Sequence, residues 1–279
     1  MRFGVKTRPE HVTWQQMRDL WSVADEIPLF ESAWNWDHFY PLTGDLDGPN
    51  LEAWTSLAAL AQATRRIRIG VQVTGMIYRH PAVLANMAAT VDIISEGRLD
   101  LGLGAGWNQL ECDAYGIALP PLKERFDRFD EGVQIVIGLL SQEHTDFAGK
   151  YHTLTRARCE PKPVQRPHPP IVIGGRGPKR TLPAAAKWAQ HWNAIAHSPE
   201  EWSSLKQVLL DHCTSVGRDP AEIDCSVNVV VPPDGDLGPA VELAAAYGDA
   251  GADIAIMGLP NGAPPSLLER LATSLEAIR

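Results

Sequence analysis

The residues best suited to acid–base chemistry stand side by side in the segment Trp36-Asp37-His38-Phe39. Histidine changes its charge between about pH 5 and 8, so His38 at the rim of a pocket is a candidate to accept or donate a proton. The alternative is a histidine that is hydrogen-bonded inside the protein wall. Another histidine, His80, comes directly before a proline at the expected start of a helix and is predicted to be structural.

A second group of residues is suited to binding a phosphate. It consists of Gly174, Gly175, Arg176 and Gly177, and two further basic residues follow at the expected start of a helix. Backbone N–H groups and the helix dipole attract an anion at such a turn, and arginine adds charge-assisted hydrogen bonds. We therefore expect a phosphate site here, although phosphate sites in (β/α)8 barrels more often follow the seventh and eighth strands. A glycine-rich turn with solvated cations is the alternative.

Small residues at the ends of two other apolar runs favour a flat ligand. The first run ends in GLGAGW (residues 102–107), where glycines would let a planar molecule approach the backbone closely. Tight packing of the chain explains this pattern equally well. In the other run, Val73 and Thr74 precede a glycine, which indicates a bend whose backbone amides could face the same planar molecule.

The elements that must position these residues alternate between short apolar runs and longer amphipathic ones, which predicts strands alternating with helices. The predicted strands are Phe3–Lys6, Ser32–Asp37, Arg66–Thr74, Arg98–Gly104, Pro170–Gly174, Trp192–Ala196, Ile223–Val231 and Asp253–Met257. Helices are predicted from a capping box at Thr13 to about Glu26, over Leu51–Arg65, Pro81–Ile94, Phe126–Leu140 and Lys179–Ala189, from Ser198 onward, and over Pro239–Ala250 and Ser266–Ile278.

Eight strands, each followed by a helix, form either a closed barrel or a doubly wound sheet. The count of eight and the length of 279 residues favour a single α/β domain, a (β/α)8 TIM barrel over residues 1–279. A dinucleotide-binding sheet would carry glycines after its first strand, where this chain has TRPE (residues 7–10). Residues 142–170, rich in proline and with a hairpin turn near residue 149, are predicted to be an insertion between strands four and five. Since barrel active sites lie at the C-terminal ends of the strands, the candidate residues should share one rim.

Composition narrows the function classes. The formal net charge is −9 and no run is rich in Lys or Arg, which argues against nucleic acid and anionic membranes as partners. The four cysteines form no C-x-x-C pair and the nine histidines no H-x-H pair, so no metal site is expected. Scattered thiols, together with the absence of a signal-like N-terminus or a long apolar run, predict a cytoplasmic protein.

Taken in order, several segments resemble the luciferase-like monooxygenase superfamily, and specifically its branch of oxidoreductases that use coenzyme F420, a deazaflavin. The segments are SAWNWDHF (32–39), EAW (52–54) through RIRIG (66–70), YRHP (78–81), SEGRL (95–99), GAGWN (104–108), AYGI (114–117), ERF (124–126) and IGG (173–175). Together they extend over most of the chain.

This resemblance implies where the cofactor binds and what the protein does. Asp37 and His38 would contact the deazaflavin, and His38 would carry the proton that accompanies hydride transfer. A bulge in strand three near Val71–Thr74, often with a non-proline cis peptide, would back the ring, with Val73 and Thr74 against the cofactor. The turn at residues 174–177 would hold the cofactor phosphate, while Gly106 and Trp107 would lie against the ring or the substrate. The resemblance also implies a homodimer and a small organic substrate.

One departure from the family pattern concerns the reaction. The sugar-phosphate dehydrogenase branch carries a glutamate at the position of Trp107, so the resemblance does not extend to that reaction. Glu111, one helical turn further on, could take the place of that acid, but it is predicted to lie on a solvated helix face. Four tryptophans at the predicted rim indicate an apolar or planar substrate; they are Trp34, Trp36, Trp54 and Trp107.

Three other functions remain open on the sequence. An FMN-dependent monooxygenase of the same superfamily would use reduced flavin and oxygen. A divalent-metal hydrolase on the same barrel would draw ligands from Asp37, His38 and His80. A non-catalytic protein that only binds the cofactor would need the pocket but no proton-transfer residue.

Overall fold

Eight parallel strand positions close into a ring in the computed structural model, which describes residues 1–279. The barrel strands are β1 (Arg2–Lys6), β2 (Phe30–Asn35), β3 (Arg68–Val71), β4 (Thr74–Gly75), β5 (Leu99–Gly104), β8 (Ile171–Gly174), β9 (His191–Ala194), β10 (Asp224–Val230) and β11 (Ile254–Gly258). The strands β3 and β4 are two halves of one position, and β11 pairs back with β1 to complete the ring. The predicted (β/α)8 TIM barrel is confirmed.

Nine helices alternate with the barrel strands along the chain. They are α1 (Trp14–Glu26), α2 (Ala53–Ala63), α3 (Pro81–Ile94), α4 (Gln109–Tyr115), α5 (Leu122–Ser141), α6 (Thr181–Trp188), α7 (Pro199–Val216), α8 (Gly238–Asp249) and α9 (Pro265–Glu276). Local sequence fixes several helix starts: Thr13 and Gln16 form the predicted capping box of α1, and Ser198 caps α7 by accepting from the backbone N–H of Glu201. The short helix α4 was not among the predicted helices.

The predicted insertion between barrel strands four and five is present, and it contains the predicted hairpin. Strands β6 (Thr145–Ala148) and β7 (Thr153–Ala157) pair antiparallel between β5 and β8. Glu131 on α5 accepts hydrogen bonds from the backbone N–H groups of Lys150 and His152 at the tip of the hairpin. The hairpin is therefore fixed to α5, beside the barrel.

The bounds predicted for the second strand are wrong by two residues at each end. The strand runs from Phe30 to Asn35, whereas the prediction was Ser32–Asp37. The ladder ends at the pair Asn35–Val71 because the neighbouring strand β3 stops there. Asp37 consequently lies beyond the ladder, where its side chain is free to bond elsewhere.

A bulge interrupts the third barrel strand between β3 and β4. The peptide bond between Gln72 and Val73 is cis, as the family resemblance implies. Glycines on the neighbouring strands make room for the bulge. A Cβ on Gly102 would lie 2.0 Å from the Val71 carbonyl oxygen, and a Cβ on Gly104 or Gly174 would lie 2.6 or 2.9 Å from the Val73 methyl groups. These glycines are therefore explained by tight packing of the protein itself.

Replacing one of these glycines tests this packing. We expect Gly102→Ala to lower the free energy of unfolding by about 3 kcal/mol, because a methyl group cannot share space with a backbone carbonyl. Gly258→Ala is the matched control in another barrel strand, since the nearest atom to its Cβ would be 3.6 Å away. It should change stability by less than about 0.5 kcal/mol. Urea unfolding measures both variants, and equal effects would contradict the packing explanation.

Candidate active site

A cavity of about 470 Å³ opens at the C-terminal ends of the strands and gathers most of the predicted site residues. Those in its lining are Asp37, His38, Val73, Gly106, Trp107, Gly174 and Gly175. The histidine and the glycine-rich turn, which are more than 130 residues apart in sequence, thus border the same space. A larger cavity of about 570 Å³ lies between the loops after β10 and β11 and contains none of the predicted residues.

Three predicted cofactor-binding residues lie outside this lining. The Thr74 side chain is fully buried, and its hydroxyl accepts a hydrogen bond from Trp54 Nε1 at 3.0 Å. Arg176 forms an ion pair with Glu201 at 3.0 Å. Gly177 packs close to Thr181 at the start of α6. The structure therefore gives each of these residues a contact within the protein, and their roles toward a cofactor stay predictions.

Asp37 is held by an ion pair beneath the cavity. Its carboxylate accepts two hydrogen bonds from Arg79, at 2.5 and 3.0 Å, and a weaker one from the Gly75 backbone N–H at 3.3 Å. Burial raises the pKa of Asp37, although the hydrogen bonds and the charge of Arg79 act to lower it. The pair joins the loop after β2 to the segment after β4, so Asp37 fixes the backbone from which His38 projects.

His38 is paired with Glu111, which the sequence placed on a solvated helix face. That prediction is wrong: Glu111 is fully buried, and its Oε1 lies 2.6 Å from His38 Nδ1. The same carboxylate accepts from the Tyr78 hydroxyl at 2.5 Å and from the Phe39 backbone N–H at 2.9 Å. Three donors from two loops therefore converge on one carboxylate.

The ionisation of Glu111 determines which histidine nitrogen is free. Burial acts to raise the pKa of Glu111, but the bonds from His38, Tyr78 and Phe39 outweigh burial and leave the pKa below its usual value. The carboxylate is thus ionised at neutral pH and can only accept hydrogen bonds. His38 Nδ1 must carry the proton that it shares with Glu111, which leaves Nε2 as the nitrogen available to a bound molecule.

The position of Glu111 in the helix α4 explains why the sequence does not show that its side chain faces the site. Asn108 begins the helix, and its side chain accepts a hydrogen bond from the Leu110 backbone N–H at 3.1 Å. Glu111 then falls in the first turn, where an acidic side chain is also favoured by the helix dipole. An acid at this place in a short helix has the same sequence signal whether it faces solvent or the site.

Only two of the four tryptophans predicted at the rim border the cavity. Trp36 and Trp107 line it, and Trp107 is 62% exposed. Trp34 and Trp54 are buried in the protein, where their indole N–H groups donate to Ser32 and Thr74. The prediction of a four-tryptophan rim is therefore wrong, because strand alternation turns Trp34 into the barrel and α2 buries Trp54.

The floor of the cavity carries polar residues that sequence reasoning did not select. Lys6, the last residue of β1, donates to the Gln72 backbone oxygen at 3.0 Å. Both side-chain polar atoms of Gln72 and the indole N–H of Trp36 are buried without a hydrogen-bond partner. Asn193 and Asn228 also line the cavity and bond each other at 3.1 Å. A polar residue at the end of the first predicted strand is a signal for Lys6, whereas Asn193 and Asn228 lie inside their strands and carry no such signal.

Two further observations concern the remaining titratable residues. His80 caps α3 by accepting from the Ala82 backbone N–H at 3.2 Å, which confirms its predicted structural role. No group of three or more His, Cys, Asp or Glu side chains is arranged to hold a metal ion.

None of the helices is both long and apolar enough to cross a lipid bilayer.

The barrel, the strand-three bulge and the rim pocket define the class of protein, and comparison with known proteins agrees. The chain belongs to the luciferase-like monooxygenase family, whose model matches residues 1–270. This confirms the resemblance seen in the sequence. A relative, the F420-dependent glucose-6-phosphate dehydrogenase of Microbacterium testaceum, is 31% identical over 234 residues, which are 83% of this chain and 68% of the relative.

Solved structures share the whole fold. An F420-dependent secondary alcohol dehydrogenase in complex with an F420–acetone adduct has a TM-score of 0.88 at 21% identity, covering 100% of this chain and 99% of the other. The coenzyme F420-dependent tetrahydromethanopterin reductase from Methanopyrus kandleri has a TM-score of 0.83 at 19% identity, with coverage of 100% and 99%. At these identities the likeness establishes the barrel fold.

The ionised state of Glu111 can be tested by stability measurements. We expect Glu111→Gln to lower the free energy of unfolding by about 2 kcal/mol at pH 7, because an amide cannot accept from all three donors. A lowered folded-state pKa stabilises the protein above the unfolded pKa of about 4.3 and loses this contribution as the pH falls further. The difference between the two proteins should therefore shrink below about pH 4.

The control is Glu242→Gln on the exposed surface of α8. Its unfolding free energy should match that of the wild type within about 0.5 kcal/mol at every pH. Urea unfolding between pH 3 and 8, a range chosen to span the usual glutamate pKa of about 4.3, provides the measurement. A loss in Glu111→Gln that does not depend on pH would contradict the assignment.

Proposed function

We propose that this chain is an oxidoreductase that binds coenzyme F420 in the rim cavity and acts on a small organic substrate. Several of the relatives are named F420-dependent dehydrogenases, which supports both the reaction class and the cofactor. The observation that carries the proposal is the His38–Glu111 pair, because it sets a proton-transfer group beside the cavity in which the family resemblance places the cofactor. The substrate itself is not specified by any of these observations.

The residues of the cavity fit a flat cofactor with a phosphate. Val73 at the bulge offers an apolar surface, and the backbone of Gly174 and Gly175 leads from it to the start of α6. The first turn of α6 has no side-chain cap; Pro183 has no N–H and the Leu182 N–H donates to the Gly177 oxygen, so the Thr181 N–H is the one left for an anion. Gly175 has a φ of +122°, a backbone conformation that residues with a side chain rarely adopt. These features support a phosphate site at the turn of residues 174–177.

The protein's own part in the reaction is to hold and move a proton. When bound, F420 supplies hydride chemistry, and the protein orients the substrate. His38 Nε2 would take a proton from a substrate hydroxyl during oxidation or return it during reduction. Glu111 accepts from Nδ1 and stabilises the imidazolium that forms, while Asp37 and Arg79 keep the loop in place.

Further parts of the proposal concern the state of the protein. We infer a homodimer from the family and a cytoplasmic location from the four cysteines, which are all buried free thiols. The whole chain, residues 1–279, would act as one catalytic domain. The alternative function is an FMN-dependent monooxygenase, since the family is named for monooxygenase activity.

A side-by-side titration separates the two cofactors. We expect F420 to bind with a change in its fluorescence and FMN to bind at least about tenfold more weakly, a difference of about 1.4 kcal/mol. Reduced F420 should not cause oxygen consumption above the rate without protein. Tight FMN binding without F420 binding, or oxygen uptake with reduced FMN that depends on substrate and exceeds the rate without protein, would establish the monooxygenase instead.

Replacing His38 tests the proton-transfer role. In a panel of small alcohols and carbonyl compounds, any substrate that the wild type turns over should lose about 10²- to 10⁴-fold in kcat with His38→Asn. The affinity of His38→Asn for F420 should stay within about tenfold of the wild-type affinity, which is a change in binding free energy of less than about 1.4 kcal/mol. His80→Asn is the matched control, because asparagine keeps the helix cap of α3. An unchanged kcat in His38→Asn would favour a protein that binds the cofactor without using this histidine.

A further inference from the structure

The floor of the rim cavity contains a positive charge that the protein itself does not neutralise. Lys6 is partly buried at the end of β1, where it lines the cavity, and its ammonium group makes one hydrogen bond, to the Gln72 backbone oxygen. The charged side chain that acts on its pKa is another cation, Arg8. Burial and, to a smaller extent, the charge of Arg8 lower the pKa of Lys6 to about 8. No carboxylate acts to raise this pKa, so the ammonium has no negative partner in the protein.

Neighbouring polar groups around this ammonium are also left without partners. Gln72 is only 4% exposed, yet both its amide oxygen and its amide nitrogen lack a hydrogen-bond partner while the residue borders the cavity. The indole N–H of Trp36 is unpartnered as well, and the Lys6 ammonium lies 5.7 Å from the Trp36 ring centroid. Buried polar groups are normally paired, and an unpaired set that borders a cavity indicates a ligand.

The unsatisfied groups define the chemistry of that ligand. Lysine offers three N–H donors and uses one here, glutamine offers two more, and tryptophan offers one. These donors match an anionic oxygen, which gains charge-assisted hydrogen bonds and neutralises the partly buried Lys6 cation. We infer that Lys6, Gln72 and Trp36 form a subsite for a carboxylate group of the substrate. The inference rests on the proposed function, and it narrows the substrate to a small organic acid.

The test measures, by calorimetry, how tightly benzoate and its neutral counterpart benzamide bind to the cofactor-free protein. Benzoate should bind at least about tenfold more tightly than benzamide, since only benzoate carries the charge that Lys6 requires. Lys6→Met should weaken benzoate binding at least about tenfold and leave benzamide binding unchanged. Equal binding of the two compounds to the wild type would overturn the inference.

A neighbouring cation supplies the matched control. Arg8 lies 5.8 Å from the same Trp36 ring, but it is not part of the cavity lining. Arg8→Met should keep the benzoate affinity within about twofold, and a loss as large as that of Lys6→Met would overturn the inference. If Lys6→Met fails to fold, as judged by its melting temperature, Gln72→Leu replaces it. That variant should also weaken benzoate binding, and an unchanged affinity would count against the subsite.

A final titration separates the substrate from the cofactor as the source of the anionic oxygen. Benzoate should bind to protein saturated with F420 within about threefold of its affinity for the free protein, a change of less than about 0.7 kcal/mol. Displacement of benzoate by F420 would assign the subsite to the cofactor and overturn the inference. If F420 does not bind at all, the proposed function fails, whereas the benzoate result on the free protein still decides the subsite.

Discussion

The close contact between the strand-three bulge and the glycines beside it is the constraint on which the rim cavity depends. Val73 occupies space that side chains on Gly104 and Gly174 would otherwise fill. Because those glycines lie on the two strands that follow in the ring, three barrel positions are fixed together. The same bulge turns Gln72 toward the cavity floor and Val73 toward its wall, so one backbone irregularity supplies both a polar and an apolar surface.

A second constraint acts on the loops above the barrel. Glu111 collects donors from the loop after β2 and from the segment after β4, while its own helix follows β5. An ionised carboxylate with three good donors tolerates burial, whereas each donor would be costly if it were left alone. The position of His38 is therefore determined by contacts between distant parts of the chain, and the imidazole is oriented before any ligand arrives.

The sequence predicted the barrel because hydrophobic periodicity and local capping report each element independently, as Thr13 and Ser198 illustrate. It also predicted that His38 and the turn at Gly175 would border one space, since parallel strands end at the same rim. It did not predict the partner of His38, because nothing in a single sequence distinguishes an inward-facing Glu111 from a solvated one. Nor did it identify Gln72, whose unpaired amide becomes visible only when its surroundings are known.

The buried pair of Asp37 and Arg79 shows what such contacts contribute. Removing two charges from water costs several kcal/mol per ion, and the attraction between them often does no more than offset that cost. The pair is therefore weak evidence for stability. Its two parallel hydrogen bonds, at 2.5 and 3.0 Å, instead fix the orientation of the Asp37 carboxylate relative to the Arg79 guanidinium. Since Asp37 directly precedes His38 and Arg79 directly follows Tyr78, the ion pair sets the spacing of the two side chains that meet at Glu111. The orientation of the proton-transfer group thus follows from an interaction one residue away from it.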